Sequence, residues 1–465
     1  MSSLFTLLGT MGNALSAQQA GLATTGQNVS NVNTPGYVQR TAILQSQAVM
    51  PGDQGGVTVA GIQRNFDTFT FSQVMSQQGL KSAADARSQA LSGAESIVAP
   101  TGGGSIGDQM TSFFSSLQSL SANPSDPSAR SAVLTQATNL AQSFATTAQG
   151  LQQTQGALFT KAQGATTTLN SDLTKIAQLN SQISQANAVG DQAPDLRDQR
   201  DSLVNDVSSQ IGASVVEDPS GSVTLFAAGT ALVSGDKAQS LGLSLDTSGA
   251  MKFTVTQPGG APADVTSAVT GGTLGGIREA RDTDIAQTAS QLDQLAYTFS
   301  TAVNAVHQSG YGLDGVSGRP LFTPPTQVAG AAAAMSVDPS VDGQPNNLAA
   351  SSTAADVPGG NGAVLQLEAL ANQGLAGGGT PASQFGSIAA GIGNASSSAA
   401  TDASTRADTL TQAQNLNSSA SGVSLNEEMV KLTQFQQAFQ ASSQVLQVTS
   451  DLLGNFITTM SSATS

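Results

Sequence analysis

Apolar residues in this chain recur at two periods, and the longer period marks both ends. Leu4, Leu8, Met11, Leu15, Leu22 and Val29 follow alternating four- and three-residue steps, with Gln18 and Thr25 at the two positions the apolar residues miss. That is the seam of a coiled coil, and it predicts a helix over about 3–29, ~40 Å long at ~1.5 Å per residue. At the far end Leu425, Leu432, Phe439, Leu446, Leu453 and Met460 recur every seven residues, behind Ser424 and Glu427 at capping-box spacing. Between these ends the helical period returns over 71–98. It returns again from 127 to about 189, where Asp126-Pro127 makes a good start. Gly150, Gly156 and Gly164 lie inside that second run at ~1 kcal/mol each relative to Ala, so a bend or break is expected. Ile285, Leu292, Phe299 and Val306 restart a heptad.

The period changes to two over 212–270. Leu241, Leu243 and Leu245 alternate, as do Met251, Phe253 and Val255, and the turn-forming run Asp246-Thr247-Ser248-Gly249-Ala250 separates them. Val215-Val216 and 223–226 flank a further turn at 218–221. Residues 42–70 read as an irregular connector, with turns at Pro51-Gly52-Asp53 and Gly55-Gly56 and a short extended piece at Val57, Val59 and Ile62. Residues 330–421 are low in complexity, rich in Ala, Ser, Gly and Asn, with a short extended segment near 335–337 and helices near 363–372 and 400–416. The expected fold is mainly α with a small β domain: N- and C-terminal helices paired as a coiled coil, a central helical bundle and one β-rich insert. Three domains follow: 1–45 with 421–465 as the terminal coiled-coil assembly unit, 46–211 with 271–420 as the helical bundle, and 212–270 as the outer insert. The terminal helices are expected to stay mobile in the free monomer and to lock when neighbouring copies supply contacts.

Composition narrows the function. A formal charge of −15 and no basic run argue against nucleic acid, whose phosphates need Lys or Arg to displace counterions. No apolar run of 18 residues and no charged-then-apolar leader appears, so membrane insertion and Sec-type export are not expected. Zero cysteines exclude disulfides and thiolate metal sites.

Candidate chemistry is sparse. Residues 102–107 match G-x-G-x-x-G, but helical sequence and Pro100 precede them and no βαβ unit follows, so a plain loop is expected. His307, the only histidine, has neither a second His nor a carboxylate at ligand spacing. It reads as a histidine satisfied near a helix C-terminus rather than a metal ligand or general base. Asp314-Gly315 lacks the other acids of a calcium loop. No isolated acid pair in an apolar setting suggests a hydrolase. No catalytic, cofactor or metal residues are assigned. Asp195-Leu196-Arg197-Asp198-Gln199-Arg200-Asp201 packs five charges into seven residues of a chain with 10% charged residues. It is either a solvated helix start or an ionic contact between domains or subunits.

Two stretches carry a family resemblance. The N-terminal helix running into Asn31-Val32-Asn33-Thr34-Pro35-Gly36-Tyr37, and the C-terminal helix containing Gln436-Gln437-Ala438-Phe439-Gln440-Ala441-Ser442, resemble the axial proteins of the bacterial flagellum: rod, hook and hook-associated proteins. Residues 195–203, the glycines of 271–277 leading into Arg278, 303–315 and 421–429 resemble the hook-associated members. The insert is small for that group, which suggests that a second outer domain is missing. The resemblance implies an extracellular, non-enzymatic structural adaptor between hook and filament, exported by the flagellar type III pathway with an uncleaved N-terminal signal. It would self-assemble into a ring or helical layer through its terminal helices, with hook protein below and a second junction protein or flagellin above. A cytoplasmic export chaperone on the C-terminal seam from Leu425 to Met460 is also implied. The alternatives are a hook or distal rod protein, a secreted hydrolase carried on the axial structure, or an adhesin displayed by the insert.

Overall fold

Asp126 caps the longest element. Its carboxylate accepts from the Ser128 N–H and Pro127 occupies the first turn, launching α4 (Pro127–Ala188). The computed structural model describes residues 2–34, 36–47, 55–227, 229–256 and 260–463. Before α4 come α1 (Ser2–Ser30), β1 (Arg40–Gln47), β2 (Gly56–Arg64), α2 (Thr68–Val98) and α3 (Ile106–Ala122). After it come α5 (Pro194–Ile211), the seven insert strands β3 to β9, and α6 (Gly272–Glu279). A π-helical turn over Ala280–Ile285 joins α6 to α7 (Ala286–Ser309), followed by α8 (Gly362–Ala369), α9 (Pro381–Ser421) and α10 (Leu425–Ala463).

Three expectations are corrected. Helix α4 runs unbroken for 62 residues despite its glycines. Gly150 permits close packing instead, since a Cβ there would lie 2.9 Å from Ile97 Cγ2 of α2. The stretch read as a connector holds the antiparallel β1–β2 hairpin; the turn expected at Pro51-Gly52-Asp53 lies outside the described residues. Strand β1 is exposed along most of both faces, so it carries no alternating signal. In the low-complexity region the helix expected near 363–372 forms as α8, while that expected near 400–416 is the second half of a 41-residue helix, α9, capped by the Thr380 side chain with Pro381 in its first turn. Its small side chains let it lie along α2, with Phe385, Ile388, Ile392 and Ala399 buried at helical spacing. The glycines at 102–104 form the loop before α3, with Ser105 as its N-cap and no strand ahead.

The insert holds a four-stranded sheet, β3 (Ser214–Glu217), β4 (Val223–Ala227), β5 (Thr230–Ser234) and β6 (Lys237–Ala238), and a three-stranded one, β7 (Ser240–Leu245), β8 (Met251–Thr256) and β9 (Ala263–Asp264). The β7–β8 hairpin has the register its alternation implies, Leu241 opposite Val255 and Leu243 opposite Phe253. Two asparagines of α4 fasten the sheets. Asn170 exchanges two hydrogen bonds with the Leu241 backbone, and Asn180 accepts from Val223 N–H while donating to the carbonyls of Val223 and Gly235. The ends of the insert meet at Gly212 and Gly271, where a Cβ on Gly212 (φ +71°) would stand 2.9 Å from the Gly271 Cα. The π-helical turn turns Asp284 toward Arg87 of α2, and Asp282 toward the Met251 N–H.

Residues 311–351 have little regular structure and are held by side chains. Asn304 pairs with the backbone of Leu321 and Phe322. Arg130, fully buried, donates to the carbonyls of Pro124, Pro345 and Leu348. His307 donates from Nδ1 to the Arg319 carbonyl (2.7 Å) and accepts at Nε2 from the Ala349 N–H (2.9 Å), which requires the neutral ring. Burial pushes its pKa down to about 4. Protonation is therefore favoured by unfolding: the stability His307 supports is complete above pH ~6.5 and is lost as pH falls toward 4. Chemical denaturation at pH 6.5 and pH 4.5 should show wild type losing on the order of 2 kcal/mol more across this interval than His307→Gln.

Candidate assembly interface

The two terminal helices lie antiparallel against each other, and the packing is set by small residues on α1. Ala17, Gly21, Thr24, Thr25 and Asn28 form the buried stripe of α1. Gly21 receives Phe435 of α10, whose ring would be 2.5 Å from any Cβ placed there. Seven residues along, Asn28 meets Glu428. Helix α10 begins directly after Ser424, whose carbonyl accepts the Glu428 N–H.

At the base of this stem the N-terminal motif forms a turn. The Thr34 carbonyl accepts from the Tyr37 N–H, and Gly36 has φ +79°, the left-handed region that glycine enters without penalty. Pro35 lies outside the described residues. Asn31 and Thr34 bond to each other, Asn33 is exposed, and Val32 is half-buried. Tyr37 donates from its hydroxyl to Asn28 Oδ1 (2.8 Å) and lies beneath the Arg40 guanidinium. Asn28 uses both ends of its amide. Its Oδ1 also accepts the Arg40 N–H (3.0 Å), and its Nδ2 donates to the Arg40 carbonyl (2.8 Å) and to Glu428 Oε2 (2.9 Å). Glu428, with no exposure, accepts on Oε1 from Gln39 (2.8 Å) and Lys431 (2.9 Å). Burial opposes its ionisation, but the hydrogen bonds from Lys431, Asn28 and Gln39 outweigh it and hold the carboxyl below the ordinary glutamate range.

The charged run at 195–201 divides by face. Asp195, Asp198 and Asp201 turn toward the hairpin, where Arg40 and Arg64 are directly opposed partners. Arg40 reaches Asp195 (2.7 Å) and Asp198 (2.5 Å), and Arg64 reaches Asp198 (2.8 Å) and Asp201 (2.6 Å). Like charges placed opposite each other across a hairpin repel, and the α5 carboxylates neutralise them. Burial pushes Asp198 up, with Arg64 and Arg40 pulling against it. Arg197 and Arg200 face the other way, to Glu217 and the Gly221 carbonyl at the insert. Of the two readings of this run, the ionic contact between parts of the chain is the one formed.

Leu4, Leu8, Met11, Leu15, Leu22 and Val29 are half-buried, one position round the helix from the buried stripe. Leu432, Phe439, Leu446 and Leu453 are half-buried along α10, while Leu425 and Met460 are largely exposed. A second apolar row, Val445, Val448, Leu452 and Phe456, is uncovered. Hydrophobic periodicity missed Gly21, Phe435, Asn28, Gln39 and Glu428 as contact residues. The available signal was charge: Arg40 is the first charged residue of the chain, and acids at a three-residue spacing on α5 match two isolated arginines. Among the described residues no group of three or more His, Asp or Glu could hold a metal ion, and no helix is long and apolar enough to cross a membrane.

A long antiparallel stem made from both chain ends, set on a helical body that carries a β insert, is the architecture of an axial assembly protein. The family described as flagella basal body rod protein matches residues 8–37, and flagellar basal body rod FlgEFG protein C-terminal matches 414–460. Between them, flagellar hook-associated protein FlgK helical domain matches 91–322. Flagellar hook-associated protein 1 of Bacillus subtilis is 30% identical over 509 residues, covering 99% of each chain. Its Salmonella typhimurium counterpart is 33% identical over 321 residues, 67% of this chain, so the match spans only 58% of that relative. The Escherichia coli counterpart aligns over 526 residues at 28% identity, more than the 465 residues here, so it carries residues this chain lacks. The solved structure of the flagellar hook junction protein FlgK from Burkholderia pseudomallei superposes with a TM-score of 0.50 at 27% identity, over 54% of this chain and 46% of that one. The chain belongs to the flagellar hook-associated protein 1 family.

The Gly21 contact makes a test of the stem. In an open helix Gly→Ala stabilises by ~1 kcal/mol. Gly21→Ala should fail to stabilise the α1–α10 pair, because the new methyl meets Phe435, and should recover the gain in a Phe435→Leu background, read by amide exchange over 17–28. Glu428→Gln, which sets an amide N–H against the Asn28 amide N–H once its oxygen faces Gln39 and Lys431, should weaken the pair by ~1–3 kcal/mol in the same measurement.

Proposed function

We propose that the protein is a non-enzymatic structural adaptor of the bacterial flagellum that joins hook to filament. The observation that carries this reading is the row Val445, Val448, Leu452 and Phe456. It is an apolar face left open on the helix that already pairs with α1. Apolar rows of this length on a soluble chain are normally covered in an assembly, and the end-to-end similarity to the Bacillus subtilis relative supports the same role. In this reading the stems of sister copies pack into a ring or helical layer and the body and insert form the outer shell. Hook protein lies below, and a second junction protein or flagellin above. Export is by the flagellar type III route to the extracellular junction, with a cytoplasmic chaperone covering the seam of Leu432, Phe439, Leu446 and Leu453 until assembly. The seam residues of α1 and the 31–37 motif act in the same packing.

A strain lacking the gene should build hooks and no filaments; loss of the hook itself would instead favour a hook or rod role. Leu452→Asp should leave monomer stability within ~0.5 kcal/mol, as exposed substitutions do, yet fail to restore filaments. Leu432→Asp and Phe439→Asp should also fail to restore filaments, while the body helices remain protected from exchange. Filament growth with any of these three charges in place would count against the stem as the assembly surface.

A further inference from the structure

The covalent path between stem and body consists of two short segments, 65–67 between β2 and α2 and 422–424 between α9 and α10. Both are cross-braced. Asn65 donates its N–H to the Gln39 carbonyl and its amide to the Ala420 carbonyl (3.1 Å), and Gln39 N–H bonds the Ser421 carbonyl (3.0 Å). The Asp67 N–H bonds Ser421 Oγ (3.1 Å).

We propose that pairing of α1 with α10 and docking of the hairpin arginines on α5 form one coupled latch, so that neither closes fully without the other. The coupling runs through a single unbroken set of contacts. Glu428 of α10 holds the Asn28 amide. Asn28 in turn grips Arg40 by both its backbone N–H and its carbonyl, fixing where β1 starts. Arg40 carries its guanidinium to Asp195 and Asp198, and its cross-strand partner Arg64 brings in Asp198 and Asp201. With α10 released, Asn28 loses its carboxylate acceptor and Gln39 its side-chain acceptor, so the start of β1 is free to move. The arginines then leave three carboxylates facing one another on one helix, Asp198 and Asp201 of them nearly buried. Breaking a buried pair by removing one partner is costly because the remaining charge stays uncompensated, and this cost is what each half of the latch feels from the other. Linkage makes the effect reciprocal. The inference concerns the isolated chain and stands apart from the assembly role proposed above.

The absence of cysteine from the sequence allows clean labelling. Spin labels at Gln45→Cys on the hairpin and Ser202→Cys on α5, both exposed positions, report their separation by pulsed dipolar spectroscopy in the full chain. Adding Phe435→Asp and Phe439→Asp, which lie on α10 and on neither labelled element, should at least double the width of the distance distribution. In reverse, Asp198→Asn with Asp201→Asn should speed amide exchange over residues 17–28 by about tenfold or more, with exchange in α2 and α9 unchanged as evidence that the body is folded. The latch is overturned by a narrow hairpin–α5 distance in a protein whose 17–28 amides have lost protection. It is equally overturned by unaltered 17–28 exchange in the aspartate variant.

Discussion

A single buried carboxylate, Glu428, sets the geometry at the foot of the stem. It can remain charged without exposure only because three donors converge on it, and two of them, Asn28 and Gln39, come from the opposite end of the chain. The requirement works in both directions. An unpaired carboxylate in that position would be expensive, so the C-terminal helix is held to one register on the N-terminal one, with Phe435 seated over Gly21 as the second fixed point. Two contacts seven residues apart on both helices define an antiparallel pair, and the leucines need only flank it.

How much of this was legible depended on how each element stores its information. Helix α10 and the β7–β8 hairpin carry large apolar residues at a strict period, and both formed where the period placed them. The buried stripe of α1 is made of Ala, Gly, Thr and Asn, so hydrophobicity pointed to the adjacent leucine face, 100° round the helix. Strand β1 turns both faces to solvent and has no period to show. Helix α9 buries Phe385, Ile388, Ile392 and Leu410 among many alanines and serines that add little apolar area, so only its 400–416 part was expected and its first half was not. The charged run on α5 was conspicuous, but the partners of its aspartates are separated from it by more than 130 residues of sequence, and nothing local identifies them.

Elsewhere polar side chains do the joining that apolar area would do in a richer core. Arg281 links the Gln155 carbonyl of α4 to the Gly249 carbonyl of the β7–β8 turn, from a π-helical turn that offsets it from the regular helix face. Arg130 and His307 secure the irregular 345–349 segment from two different helices. These groups rely on full satisfaction of their hydrogen bonds, which makes the body specific in shape at modest hydrophobic content.

The touching glycines at 212 and 271 have a consequence for insert length. Because the chain departs from the bundle and rejoins it at nearly one point, the join of α5 to α6 does not depend on how many residues lie between them, even though the sheets themselves are fastened to α4. Residues added at the tips of the insert's turns, away from the face held by Asn170 and Asn180, therefore leave the spacing of the helices unchanged.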